Sequence, residues 1–196
     1  MSGAFRHFRL SNIDSSKNKD TTKNRVDTYA YPDNRSGVDA SGGDTEILGM
    51  IKDNDMEESS SQLAQNFQTP KSLFEYGKTS LMDLDYKNAE IAFRGFIKKY
   101  PKDDLVPDAQ YWIGESLFVR EEYNEAILMY GQVIKNYKKS KKAPDSLLKI
   151  GISFANLDKK KEACDALVKV NKNYPDSDNS VLKRANYKIQ EIGCKT

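Results

Sequence analysis

The chain has 196 residues, enough for one ordinary domain and a tail. Charged residues make up 31% and hydrophobic residues 38%, which is polar for a compact globule, and a net charge of +2 is too small to argue for nucleic acid. No stretch approaches the roughly 20 apolar residues of a membrane span, and the opening run Met1–Leu10 has basic residues but no apolar core, so it does not read as an export signal.

Residues 1–67 show no sustained period. Ser, Asn, Asp, Lys, Thr and Gly dominate, with 8 basic and 11 acidic side chains against 23 and 18 in the remainder, so the two parts differ in character. Such a segment buries too little apolar surface to offset the entropy of ordering it, and it is expected to be flexible and mostly disordered. Ile47, Leu48, Met50 and Ile51 form one short apolar cluster. It reads as a transient helical turn, with a short docking or oligomerising segment as the sharper alternative. No sustained heptad supports a coiled coil.

From residue 70 a period of 37 takes over. It carries Pro70, Pro107 and Pro144, then Gly77, Gly114 and Gly151, then Ala89, Ala126 and Ala163, then Tyr100, Tyr137 and Tyr174. With each proline as position 1, two helices fit each unit, at roughly positions 1–14 and 17–30. The proline opens the first helix, where its missing N–H is harmless. Small residues at positions 8 and 20 allow the two helices to approach closely. Large residues at position 24 (Phe93, Tyr130, Leu167) and position 27 (Phe96, Val133, Val170) are expected to fill space against the next unit. Asp85-Tyr86 and Glu122-Tyr123 mark the turns within units, and Tyr-Pro at 100–101 and 174–175 ends the second helix. Units are predicted at 70–106, 107–143 and 144–180. Residues 181–193 follow as an amphipathic cap, with Leu182, Ala185, Ile189 and Ile192 on one face.

Glycine, alanine and proline at the eighth, twentieth and thirty-second places match the tetratricopeptide pattern, although Lys138 breaks the proline set and the unit is longer than the usual 34. The expected fold is an all-α superhelix of three helix pairs and a cap, and a domain of this class at 68–196. Such arrays bind proteins. The strings Asp108-Ala-Gln-Tyr-Trp-Ile-Gly-Glu115, Lys142-Ala-Pro-Asp-Ser-Leu-Leu-Lys-Ile-Gly151 and Lys161-Glu-Ala-Cys-Asp-Ala-Leu167 go further. They resemble the C-terminal domain of the Tol–Pal system protein YbgF, or cell division coordinator CpoB, family. That resemblance implies a periplasmic adaptor linking peptidoglycan synthesis to envelope constriction, with a TolA-like protein or a peptidoglycan synthase as partner. It also implies a homo-oligomer, because members trimerise through an N-terminal coiled coil. Other readings are an envelope-assembly scaffold and, if Met1 is the native unprocessed start, a cytoplasmic adaptor.

By the geometry of that repeat class, positions 5, 9, 12 and 13 should line a partner-binding groove. Here they are Phe74, Tyr111 and Leu148; Lys78, Glu115 and Ile152; Leu81, Phe118 and Ala155; and Met82, Val119 and Asn156. Each has a packing alternative. Tyr111 and Trp112 are the anchor candidates, because aromatic residues are enriched at interface hot spots, and for Trp112 a core role weighs equally. Lys138, Lys139, Lys141 and Lys142 crowd the connection between the second and third units. They read as a solvated connection or, more sharply, as a patch for anionic partners. Nucleic acid is not expected.

Cys164 and Cys194 are the only cysteines and form no CxxC. Two separate thiols is the preferred reading. A bridge pinning the cap is the alternative, since the two ends meet in an antiparallel helix pair and an oxidising compartment would permit it. The sole histidine is His7. The repeats therefore lack the commonest general base, and no P-loop, dinucleotide fingerprint or HExxH occurs. No enzyme activity, cofactor or metal is expected.

Overall fold

The computed structural model describes residues 45–195, with side chains from 55 onward. Among the described residues there are eight helices and no strand. They are α1 (Thr45–Gln65), α2 (Pro70–Met82), α3 (Tyr86–Lys99), α4 (Val106–Val119), α5 (Tyr123–Asn136), α6 (Ala143–Asn156), α7 (Lys160–Asn173) and α8 (Asn179–Ile192). From α2 onward each helix packs on the next in the chain, the pattern of stacked helix pairs. The pairs α2–α3, α4–α5 and α6–α7 start and stop at the repeat positions expected, and α8 is the cap.

Local chemistry sets these boundaries. Thr69 caps α2 by accepting from the Ser72 N–H, Asp85 caps α3 by accepting from the Asn88 N–H, and Asp178 caps α8 by accepting from the Ser180 N–H. Helices α4 and α6 lack a side-chain cap and instead carry Pro107 and Pro144 in their first turn. At position 15 the chain turns between paired helices with positive φ, at Leu84, Glu121 and Asp158. Gly193 ends α8 in the left-handed conformation, where a side chain would be strained.

The glycine of position 8 is where the paired helices nearly touch. A Cβ on Gly114 would lie 2.5 Å from the Tyr130 ring, and one on Gly77 would lie 2.9 Å from Phe93. Position 24 therefore fills the space over its own unit's glycine rather than against the next unit. Phe93, Tyr130 and Leu167 are fully buried there, and Phe96, Val133 and Val170 continue the same core.

One element was not legible in the repeat. The expectation that residues 1–67 lack structure does not hold for α1, which packs on α3. Gly95 makes the contact: a Cβ there would sit 2.4 Å from the Ser60 carbonyl oxygen and 3.1 Å from Ala64. Lys98 pairs with Glu57 at 2.7 Å. Lys99 donates to the carbonyls of Ala64 and Phe67 at 2.9 and 2.7 Å, closing the open end of α1, and the Phe67 ring packs at a tilt against Tyr76, centres 5.1 Å apart. Ile47, Leu48, Met50 and Ile51 lie within α1, where the backbone alone is described, and the expectation for residues 1–44 falls outside the described residues.

Candidate protein-binding surface

The first helices of the second and third units, α4 and α6, are linked by side-chain contacts and form a shared wall. Glu115 on α4 joins them. Its carboxylate accepts from the Tyr130 hydroxyl behind it and from Lys149 on α6 at 2.7 Å. Lys149 also lies 4.3 Å from the centre of the Phe118 ring. Lys142, at the start of α6, sits over both Tyr111 and Trp112, 4.8 and 4.9 Å from their ring centres. These contacts leave the wall aromatic, with its cations already engaged.

The position-5 residues do not face a groove. Phe74, Tyr111 and Leu148 are all buried. Phe74 meets Phe93 edge-on at 5.3 Å and Tyr111 meets Tyr130 at 5.7 Å, so these side chains belong to the helix-pair core. Burial, and then the neighbouring Glu115 charge, push the Tyr111 phenol far above its ordinary range. Tyr111 is thus a structural residue and not an anchor. Trp112, Glu115, Phe118, Ile152, Leu81 and Lys78 remain half-exposed along the wall. Lys78 is paired with Glu75 at 3.5 Å. Two carboxylates near the start of α4 and α6, Asp108 and Asp145, are raised above the usual range by burial, which outweighs the nearby Lys142.

Of the lysine cluster, Lys138, Lys139 and Lys141 are exposed on the connection between α5 and α6. Lys142 does not belong with them, because its ammonium is folded back over Tyr111 and Trp112. The two cysteines are joined: Cys164 and Cys194 form a disulfide with Cα atoms 5.5 Å apart, linking α7 to the second residue past α8. The preference for separate thiols is therefore corrected. The missed signal lay in the period. Cys164 stands two repeats after Glu90 and Cys194 two repeats after Arg120. Glu90 and Arg120 are themselves in contact at 2.6 Å, so the two sites are equivalent.

Among the described residues no group of His, Cys, Asp or Glu could hold a metal ion, and no helix is long and apolar enough to cross a membrane. Paired helices stacked in three repeating units, with an open wall of first helices, define a helical-repeat binding scaffold. The tetratricopeptide repeat family matches at residues 71–103, 108–140 and 145–177, half of the chain, and the chain belongs to that family. No curated protein matches it. Membership makes this a protein–protein interaction module, of a class that is generally non-enzymatic.

Proposed function

We propose that this protein is a non-enzymatic adaptor whose wall of first helices grips a segment of another polypeptide. The observation that carries the reading is the half-exposed set Leu81, Trp112, Phe118 and Ile152 on the first helices α2, α4 and α6, apolar side chains that no neighbouring helix covers fully. A groove of this kind suits a helix or an extended peptide. The site of action is the cell envelope, in the Tol–Pal system, with a TolA-like protein or a peptidoglycan synthase as partner. The motifs around Asp108–Glu115, Lys142–Gly151 and Lys161–Leu167 support this. The bridged cysteines favour an oxidising compartment such as the periplasm over the cytosol. The exposed Lys138, Lys139 and Lys141 would suit an anionic surface near the membrane or cell wall.

Calorimetric titration with the periplasmic part of a TolA-like protein tests the reading. Binding is expected, and Trp112→Ala should weaken it about tenfold or more at unchanged melting temperature, as for an aromatic hot spot. Equal affinity in the variant would remove the wall from the interface.

A further inference from the structure

The turn-side edge of the first two units carries apolar side chains that the fold does not use. Met82 ends α2 and is 73% exposed, Leu84 follows it at 61%, and Val119 ends α4 at 48%. Met82 and Val119 occupy the same position in consecutive units, so they lie along one edge. In the third unit that position is the exposed, polar Asn156, and the apolar patch stops there.

Leu84 is the most telling of the three. It has φ +62°, in the left-handed region, where Glu121 and Asp158 stand at φ +64° and +57° in the other units. A leucine there is unfavourable in two ways: its backbone is strained and its side chain is in water. Packing does not account for it.

The patch is rimmed by exposed carboxylates. Asp83 and Asp85 flank Leu84 in the chain and Glu121 follows Val119 by two residues, all exposed, and the Asn88 backbone and side-chain N–H groups lower the Asp85 pKa and favour its charged form. Beyond the patch the same edge changes sign, with exposed Lys160 and Lys161 after Asp158. An apolar strip under a negative rim is complementary to an apolar segment flanked by cations, and it repels phosphate-bearing surfaces.

We propose that the edge formed by Met82, Leu84 and Val119 docks a basic amphipathic segment of a partner polypeptide, its apolar residues on the strip and its lysines or arginines on the carboxylate rim. The lysines of the third unit then set the direction, because they reject the cationic flank. The proposal rests on the protein-binding reading of this module and adds the chemistry of the partner.

The test uses the full chain and two labelled 18-residue helical peptides, one with leucine on one face and lysine on the other, one with glutamate for lysine. The lysine peptide should bind, more weakly as salt rises, and at least tenfold better than the glutamate peptide. Its amide shift changes should centre on residues 81–85 and 118–122. Leu84→Gly should melt no lower than the parent and yet bind about fivefold weaker, a combination that a purely structural leucine does not give. Failure of the lysine peptide to bind, or unaltered affinity in Leu84→Gly and in Met82→Ser with Val119→Ser, overturns the proposal. Trp112→Ala separates the two surfaces. If it alone abolishes binding, the wall is the site and the edge is not; if Leu84→Gly alone does so, the edge stands without the wall.

Discussion

The two ends of the repeat array use one location for opposite chemistries. Between the first and second units, Glu90 on α3 is 2% exposed and accepts from Arg94 at 2.7 Å and from Arg120, at the end of α4, at 2.6 Å. Between the third unit and the cap, the equivalent pair is the Cys164–Cys194 disulfide. In the middle junction the same places hold Ile127 and Leu157. An ion pair, two aliphatic side chains and a covalent bond thus stand in turn at one structural position. The middle junction lies between two complete helix pairs, and aliphatic side chains stand there. The cap α8 buries Val181, Ala185 and Ile189, and the covalent bond adds to that packing at the end of the array. The Arg120 guanidinium is opposed by burial, but the carboxylates of Glu122 and Glu90 outweigh it and raise its pKa, so the charge persists.

Breaking the covalent junction has the largest expected effect. The bridge closes a sequence separation of 30, for which chain entropy gives about 3–4 kcal/mol. Reduction, or Cys194→Ser, should speed hydrogen exchange over residues 179–192 while α4 and α5 keep their protection. Unchanged exchange in α8 would mean that the apolar seal is enough and that the two ends are not held differently.

The ionic junction comes next. Arg120→Ala should cost about 2 kcal/mol in denaturant unfolding, because it leaves a buried carboxylate with Arg94 alone. Replacing the pair by the middle junction's residues, Glu90→Ile with Arg120→Leu, should bring stability back to within about 1 kcal/mol of the parent. If the double variant is as unstable as the single one, the three junctions are not interchangeable.

The N-terminal end also has a helix with no repeat partner. Gly95→Ala should push α1 off α3 at a cost of roughly 1–2 kcal/mol, seen as faster proteolysis of residues 45–67 with the repeats intact. Equal resistance would show that α1 can shift without detaching.

Acid provides the finest comparison. Asp85 and Asp178 are both lowered from the usual aspartate value, the first by the backbone and side-chain N–H groups of Asn88 and the second by Ser180. A lowered folded-state value stabilises above the free aspartate pKa of about 3.9, and that stability is lost as pH falls below it. The urea midpoint should drop below about pH 4. Asp85→Ala should remove part of the drop at the first unit, and Asp178→Ala should remove part at the cap.

Much of this was open to inspection in the chain itself. The period placed α2 to α8 within a residue or two, because a glycine, an alanine and a proline at fixed places leave a helix pair few ways to form. The candidate surface is less legible there. Spacing assigns Phe74, Tyr111 and Leu148 to the same helix face as Lys78 and Leu81, but cannot say how far a large side chain leans toward its partner helix. Over a position-8 glycine the position-24 ring draws the position-5 side chain inward. Lys142 falls outside the exposed lysine patch for a similar reason. Its sequence neighbours are lysines, while its neighbours in space are two aromatic rings.

By itself the amino-acid order determined the repeat, the helix boundaries and the protein-binding class, since all three depend on periodicity and on local backbone preferences. Contacts between residues far apart in the chain were decided only by the packed molecule. α1 rests on Gly95, more than 30 residues away along the chain, and Cys164 reaches Cys194 across the cap. No local pattern encodes such meetings, because they depend on where whole helices come to lie once the apolar side chains of each pair have left water.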